Sequence, residues 1–307
     1  MRTIALSRMA VSSILVLVAG CTAEASERPA EHAWGHRAAL GDGGVSSYAE
    51  LDETGAPSVI GLAFDAAALA SLPTERTDGH HCYDHDGDGA LEADSECFAT
   101  HERVIPLPDL VARRDDIPFR WALLNWNPGG HIPPGVYDRP HFDVHFYIAP
   151  IEDILAIESG PCGPERVRCD QFELGMKPLP VNYMPPDYIL PDAVAPGMGN
   201  HLIDVTGPEF SGTPFTRAWI FGAYDGRITF YEEMVTLDHL RSAPDRCFDI
   251  KAPPAVGLSG FYPTRSCLRH SPADDTYTVS MEGFVHREAE PAGPPAPASA
   301  PPPVQHH

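Results

Sequence analysis

Positive charge and long hydrophobic runs are both scarce in this sequence. Lys and Arg together number 21 against 43 Asp and Glu, which gives a formal net charge of −22 at pH 7. A surface with this excess of carboxylates repels phosphate backbones and anionic lipid, so we do not expect nucleic acid as a partner. A transmembrane helix needs about 20 consecutive apolar residues, and no segment of the sequence provides them.

Familiar catalytic motifs are missing as well. The sequence contains no Gly-x-Ser-x-Gly turn, no Gly-rich phosphate loop and no His-Glu-x-x-His motif. Cysteines never occur with C-x-x-C spacing, which disfavours a cysteine-rich zinc site. Motifs alone therefore assign no residue the role of acid, base or nucleophile.

Proline and glycine, in contrast, are abundant, with 33 and 26 residues. This composition argues against a helical bundle and favours short strands joined by many turns. Residues 141–148 alternate polar and apolar side chains, which is the period of a strand with one set on each face. Residues 219–232 predict a β-hairpin, because Asp225-Gly226 in their middle tolerates the positive φ angles of a tight turn.

Helical signals are few in comparison. Only residues 64–72 and 237–241 carry patterns typical of helices, whereas residues 277–284 predict a further strand. We therefore predict a mainly antiparallel β fold, either a barrel or a sandwich, with one or two short helices.

The first 20 residues predict a signal peptide, with Arg2 and Arg8 before an apolar stretch too short to span a bilayer. Residues 18–21 resemble the lipobox of bacterial lipoproteins, which predicts lipidation of Cys21. The protein is then exported and anchored by this lipid, with the outer membrane the expected location and the periplasm or cell surface the expected side. The alternative is an ordinary signal peptide with a chance cysteine.

Composition also divides the rest of the chain. Residues 21–40 predict a lipidated N-terminus followed by a flexible tether, because they are small, polar and charged. Residues 41–287 predict the β-rich domain. Residues 288–307 are rich in Pro and Ala and predict a disordered tail, since such a composition cannot build a core.

Six cysteines remain after Cys21, and they fall into three sequence-local pairs. An oxidising compartment favours disulfides in such an arrangement, although six cysteines allow 15 connectivities. We predict nearest-neighbour pairing, which gives Cys82–Cys97, Cys162–Cys169 and Cys247–Cys267.

Several segments between residues 44 and 240 carry a specific pattern: 44–73, 124–131 with WNPGGH, 134–137, 140–147 reading PHFDVHFY, 198–201 and 221–232. The pattern resembles a family of exported bacterial proteins defined by a domain of unknown function. The resemblance implies a β-rich exported domain and supplies no reaction. The family has Glu after the first His and Pro after the Glu that follows the hairpin, whereas this chain has Ile132 and Glu233. Residues 74–100 look like an insertion.

Within this insertion, an acidic loop resembles the calcium-binding loop of an EF-hand. The matching positions are Asp84, Asp86 and Asp88 as carboxylate ligands, Gly89 at the sharp turn, the Ala90 carbonyl and Glu92. Position 12, where a bidentate Glu is expected, holds Ser95, with Glu96 one place late. Calcium affinity should then be modest, about 10⁻⁴–10⁻³ M. The alternative is an acidic surface loop closed by a disulfide.

A second candidate metal site is rich in histidine. His141, Asp143 and His145 share one strand face, where neighbours in the set lie about 6–7 Å apart and can chelate one ion. His141 and His145 lie about 13 Å apart along a strand, too far to share an ion directly. We predict a mononuclear zinc, manganese or other divalent-metal site that uses Asp143 either as a ligand beside one of these histidines or as the carboxylate that orients a histidine ligand, completed from His131, His201 and Glu232. The alternative is that these side chains are hydrogen-bonded and bind nothing.

Glu232 is of interest because it is predicted on the same strand face as Ile228 and Phe230. A carboxylate on an apolar face must find a partner or a metal when it is buried.

Two functions fit these features. One is a small-ligand or metal-binding protein with structural calcium, which the lack of an assigned acid, base or nucleophile favours. The other is a metal-dependent hydrolase or oxidoreductase that uses the His, Asp and Glu side chains. The number of protein ligands distinguishes them, because three ligands with an open position are typical of a catalytic site.

Overall fold

The computed structural model describes residues 29–297 of the chain. The predicted signal peptide and the lipidation site at Cys21 lie outside these residues, as do residues 298–307. No helix in the described part is long and apolar enough to cross a membrane.

Short strands dominate the described residues. The strands are β1 (Glu31–Leu40), β2 (Gly43–Leu51), β3 (Pro57–Asp65), β4 (His101–Pro106), β5 (Trp121–Asn127), β6 (His141–Tyr147), β7 (Ser159–Cys162), β8 (Tyr188–Ile189), β9 (Val194–Ala195), β10 (Gly199–Asp204), β11 (Arg217–Tyr224), β12 (Arg227–Thr236), β13 (Arg246–Asp249), β14 (Gly260–Tyr262), β15 (Arg265–Ser271), β16 (Thr276–Glu282) and β17 (Val285–Arg287). The helices are α1 (Ala66–Ala70), α2 (Ala93–Glu96), α3 (Asp109–Ala112), α4 (Ile151–Leu155), α5 (Cys169–Gly175) and α6 (Leu237–Arg241), with a 3₁₀ turn at Pro208–Ser211.

Two antiparallel sheets form a sandwich. The smaller sheet has the strand order β1-β2-β3-β16-β15-β13, and the larger one has the order β4-β5-β6-β12-β11-β10-β8, with β9 paired to β10. Strands β14 and β17 form a separate pair. The prediction of a mainly antiparallel β fold is confirmed, and the described strands form a sandwich rather than a closed barrel. The described residues form six short α-helices, more than the one or two that were predicted.

The core between the sheets takes one side-chain set from each strand. On β6 this set is Phe142, Val144 and Phe146, all fully buried. Phe142 packs against Phe64 of the smaller sheet with 5.1 Å between ring centroids. Burying one such phenylalanine contributes about 1.5–3 kcal/mol, so β6 is held firmly on this side.

A second apolar cluster covers the outer face of the larger sheet. Trp121 and Tyr147 stack there with centroids 4.0 Å apart, and Ile154 of α4 and Val167 pack onto the same face. Because both faces of the sheet are covered, every residue of β5 and β6 is buried. The polar set of β6 therefore faces a protein interior.

The predicted hairpin is confirmed as β11 and β12. Asp225 and Gly226 form its turn with φ angles of 49° and 72°. The register shifts between Phe221 and Ala223, so β12 bulges opposite Gly222. The bulge makes one expectation wrong, because Ile228 packs against the inter-sheet core while Phe230 lies on the outer face.

Two predictions about the chain ends are also wrong. Residues 31–40 form strand β1 rather than a tether, since they pair with β2. Part of the expected tail, residues 288–297, lies against the domain through backbone hydrogen bonds from Val181 to Pro294 at 2.8 Å and from Ala296 to Leu179 at 2.7 Å. Composition misled us here because these contacts use the backbone and need no apolar side chains.

The three predicted disulfides are confirmed, with partners 15, 7 and 20 residues apart in sequence. Each bond closes a local loop or joins adjacent strands. Helix α6 has the predicted bounds, whereas α1 is shorter than predicted because residues 64 and 65 complete β3.

A buried ion pair connects the two sheets. Arg217 on β11 donates two hydrogen bonds of 2.6 Å to Glu233 on β12. Ser266 on β15, in the smaller sheet, donates to the same carboxylate at 2.7 Å. Glu233 is fully buried and the Arg217 side chain is only 18% exposed, so little water reaches the guanidinium to replace this partner.

We expect Glu233→Ala to lower the free energy of unfolding by about 3 kcal/mol, because it leaves the mostly buried Arg217 guanidinium and the buried Ser266 hydroxyl without their partner. Urea unfolding of the oxidised protein measures this change. Glu50→Ala is the matched control, since its pair with His32 is exposed and should change stability by at most about 0.5 kcal/mol. Equal effects of the two variants would contradict the role of the ion pair.

Candidate metal centre

Strand β6 places three polar side chains on the outer face of the larger sheet, where the covering segments bury them. His141 and His145 are fully buried and Asp143 is 5% exposed. Glu232 of β12 pairs directly with His145 across the strands, and it is 1% exposed. These four side chains form the floor of the candidate site.

The first group of potential ligands is His131, His141 and Asp143, whose donor atoms lie within 4.8 Å of one another. His141 Nε2 lies 3.1 Å from Asp143 Oδ1, and His131 Nε2 lies 3.3 Å from Oδ2. Two ligands of a tetrahedral zinc ion lie about 3.3 Å apart when the metal–nitrogen bonds are about 2.0–2.1 Å. The spacing in this group fits one metal ion.

A tight turn brings His131 back to β6. Gly130 has a φ angle of 71°, and a Cβ there would lie 2.2 Å from the Tyr137 carbonyl oxygen. The His131 backbone N–H donates to that same carbonyl at 3.2 Å. A glycine at position 130 is therefore required for the loop to close.

The second group is His145, His201 and Glu232, whose donor atoms also lie within 4.8 Å of one another. His145 Nε2 lies 3.6 Å from Glu232 Oε2, and the rings of His145 and His201 have centroids 5.9 Å apart. His201 comes from β10, opposite Gly222 of β11. The phenyl ring of Phe230 occupies the space above Gly222, where a Cβ would lie 2.0 Å from it.

All four histidines are oriented in the same way, with Nδ1 at a backbone carbonyl oxygen. The pairs are His131 with Ile132 at 2.7 Å, His141 with Arg139 at 2.6 Å, His145 with Leu123 at 3.1 Å and His201 with Ala193 at 3.1 Å. A carbonyl only accepts, so each Nδ1 carries the hydrogen and the lone pair of the neutral ring is on Nε2. Metal-binding histidines are typically held in this way.

Several of the converging atoms lack hydrogen-bond partners among the described residues. They are His141 Nε2, Asp143 Oδ1, His145 Nε2 and Glu232 Oε2, and all are buried. Leaving such a group unpaired costs about 1–3 kcal/mol. Asp143 Oδ2, in contrast, accepts a hydrogen bond of 2.6 Å from Asn127 Nδ2.

The first group is electrostatically compensated. Burial alone would raise the pKa of Asp143, but attraction to His141 and His131 outweighs it and holds that pKa well below its usual value. Burial lowers the pKa of His131, but Asp143, together with the Ile132 carbonyl and Glu165, raises it by more, so the net shift is upward. The carboxylate is thus charged and available as a ligand.

The second group is uncompensated. Burial, together with repulsion from Asp143 and Glu233, raises the pKa of Glu232 well above its usual value. Burial lowers the pKa of His145 to about 3 and that of His201 to about 4. The two imidazoles are therefore neutral at physiological pH, which is the form that binds metal.

Both groups adjoin one cavity of about 170 Å³. Each group contributes one histidine and one carboxylate to the cavity wall. These are His131 and Asp143 from the first group, and His201 and Glu232 from the second. The remaining wall is mainly apolar. The cavity gives a small molecule access to both groups.

Sequence reasoning predicted the six side chains but not their arrangement. It predicted one site, whereas the structure brings them together as two groups that share the β6 face. The inference that His141 and His145 cannot share an ion agrees with this arrangement, since each belongs to a different group.

Two loops contribute wall residues that sequence reasoning missed. Phe98 comes from the insertion, and Glu165 from the loop closed by Cys162 and Cys169. Burial raises the pKa of Glu165 although His131 and Arg166 lower it. Neither residue belongs to a periodic pattern, and the disulfide was the only signal near Glu165.

The acidic loop of the insertion forms two carboxylate clusters. Asp84 and Asp86 approach Glu96, while Asp86 and Asp88 approach Glu92. Glu96 is buried, and backbone N–H groups of His85 and Glu92 lower its pKa to about 2. Glu96, one place beyond Ser95, is therefore the residue whose carboxylate turns towards the acidic loop.

We expect nuclear magnetic resonance of the metal-free protein to show no titration of His145 or His201 as the pH falls through 6.5, the ordinary histidine value. Their depressed pKa values of about 3 and about 4 keep both rings neutral there. His131 should instead titrate above the ordinary value. A His145 or His201 resonance that shifts near 6.5 would show that these rings are hydrated.

Comparison of the chain with protein-family models, with curated proteins and with solved structures finds no match in any of the three.

Proposed function

We propose that this protein binds divalent transition-metal ions at the two His₂-carboxylate groups and presents them to a small ligand in the adjoining cavity. The observation that carries this proposal is the common orientation of the four imidazoles, each with Nδ1 bound to a backbone carbonyl. In His131, His141 and His145, Nε2 also lies 3.3, 3.1 and 3.6 Å from a carboxylate oxygen. His141 Nε2 and His145 Nε2 are buried without a hydrogen-bond partner among the described residues, whereas a histidine that only stabilises a fold normally has both ring nitrogens paired.

The donor set favours zinc among the divalent ions. Imidazole nitrogen suits zinc, copper, iron and nickel, whereas calcium and magnesium prefer oxygen ligands. Two histidines and one carboxylate also form the ligand set of iron(II) oxygenases, and manganese accepts the carboxylates. Zinc fits best because the spacing of the first group matches a tetrahedral ion.

The cavity limits the size of the ligand. At about 170 Å³ it is close to an engineered cavity of about 150 Å³ that holds benzene. A metal with three protein ligands keeps a coordination position for water or for such a ligand. We infer that the ligand has few heavy atoms and contacts the metal directly.

A second candidate function is a metal-dependent hydrolase. The three protein ligands in each group favour it, because closed structural sites use four. Glu165 on the cavity wall supplies a carboxyl group with a raised pKa, as proton transfer to or from metal-bound water requires.

The location follows from the N-terminal sequence and the disulfides. We propose an exported lipoprotein held at the outer membrane through Cys21, with the domain in an oxidising compartment. The three disulfides support this proposal, because such bonds are rare in the reducing cytosol.

Metal content tests the main proposal. After zinc loading and dialysis, we expect the protein to hold two zinc ions per chain, one for each group. His141→Ala and His145→Ala should each remove one ion, because each takes a ligand from a different group. Elemental analysis of the purified protein measures the ratio.

His36→Ala is the matched control, since this histidine is exposed on β1 and belongs to neither group. It should leave the zinc content unchanged. Full zinc content in both site variants would refute the proposal, whereas loss of both ions in either variant would show a single shared centre.

We also propose that the acidic loop binds one calcium ion, which would relieve repulsion among Asp84, Asp86 and Asp88 and stabilise the insertion. Titration calorimetry should show weaker calcium binding by Asp86→Ala, because Asp86 belongs to both clusters. Asp94→Ala is the control, as this exposed residue lies in the same disulfide loop but in neither cluster. Identical binding by both variants would exclude the loop as a calcium site.

A further inference from the structure

Both ligand groups meet the cavity of about 170 Å³ beside them in the same way. His131 and Asp143 of the first group line this cavity, whereas the third ligand, His141, is fully buried and does not. The second group repeats the arrangement, because only its fully buried histidine, His145, is absent from the lining. A tetrahedral ion held by three such ligands has its fourth position on the side where no ligand lies. In both groups this is the side of the cavity.

The cavity wall carries acidic side chains and no matching cation. Asp143, Glu165, Asp192 and Glu232 line it, while no Lys or Arg among residues 29–297 does. Glu165 and Asp192 belong to neither ligand group, and Glu165 is partly exposed while Asp192 is exposed. With no metal bound, the carboxylates of this wall repel an anion that approaches the cavity.

Metal binding reverses the sign of the charge in this cavity. Each group contributes one carboxylate, Asp143 or Glu232, and a ligand carboxyl group is deprotonated when metal binds. A divalent ion brings two positive charges, so one positive charge in each group remains unbalanced. A charge in a poorly hydrated site needs a counter-charge beside it. The molecule that occupies the open position is therefore an anion.

The rest of the wall determines which kind of anion fits. Five apolar side chains line it: Phe98, Met198, Ile203, Ile220 and Met234. A strongly hydrated ion such as phosphate would lose its water against these side chains without replacement, whereas an apolar group gains by leaving water. The volume suits about one benzene-sized group, since a cavity of about 150 Å³ holds benzene.

We propose that the ligand is a small carboxylate with an apolar body. Its carboxylate binds at an open metal position, and its body lies against Phe98 and the other apolar side chains of the wall. This proposal rests on the proposed metal binding, because only the loaded cavity attracts an anion. The bound metal is thus the condition for ligand binding, and the zinc-free protein should not bind the carboxylate.

Benzoate and benzamide are the probes, because they have nearly the same shape and differ in charge. The protein is loaded with zinc, dialysed and titrated with each probe in a calorimeter. We expect one benzoate per chain, bound at least about tenfold more tightly than benzamide, since only benzoate carries the charge that balances the metal. Removing zinc with a chelator should abolish benzoate binding. Calcium is present at equal concentration in every titration, so that the acidic loop is in the same state throughout.

Phe98→Ala tests the apolar part of the proposal. It should weaken benzoate binding about fivefold and leave the zinc content unchanged, because the bound ligand then exposes roughly 40 Å² more apolar surface to water. Phe261→Ala is the matched control, since this residue is also partly buried but lies outside the cavity lining. It should bind benzoate like wild type.

The zinc content distinguishes failure of this proposal from failure of the metal proposal. Wild-type protein that retains no zinc after loading would refute metal binding, and the carboxylate proposal with it. Zinc-loaded protein that binds no benzoate, or that binds benzamide as tightly, would overturn the carboxylate proposal alone. So would benzoate binding of equal strength without zinc, or an affinity of Phe98→Ala for benzoate equal to that of wild type.

Discussion

The cost of burying charge on the outer face of the larger sheet is the constraint on which the candidate metal centre depends. Two carboxylates and two imidazoles lie there with almost no contact with water. In the first group, attraction between Asp143 and its histidines offsets this cost. In the second group nothing offsets it, since Glu232 meets neutral imidazoles and two further carboxylates. The divalent cation proposed for this site would supply the positive charge that the second group lacks.

The fold satisfies this constraint by covering both faces of the larger sheet. Packing against the smaller sheet fixes the backbone of β6 from one side, so its alternate side chains point outward without freedom to move away. Loops and short helices then close over them, and two of these loops are tied by disulfides. Rigid donors on strands, with backbone carbonyls behind them, give the preorganisation that metal binding rewards.

Local sequence patterns predicted the polar face of β6 and the disulfides, whereas tertiary pairing determined how the ligand groups are arranged. The alternation along β6 placed His141, Asp143 and His145 on one face, and local spacing identified the disulfides. The division into two groups was not predictable, because His131 and His201 reach β6 through a turn and through strand pairing across β11 and β12. The β12 bulge likewise reversed Ile228, since one extra residue changes which face a side chain occupies.

Strand β16 pairs over its whole length with β3 at the centre of the smaller sheet, from Thr276 with Asp65 to Glu282 with Val59. The order of assembly follows from this pairing. The strands that carry the candidate metal centre, β5, β6, β10 and β12, all precede residue 237, so they can pair while the chain is incomplete. The smaller sheet cannot be completed before residues near 282 are present, and until then β3 has an unpaired edge. Contacts between such distant segments form slowly, which makes completion of the sandwich a late event in folding.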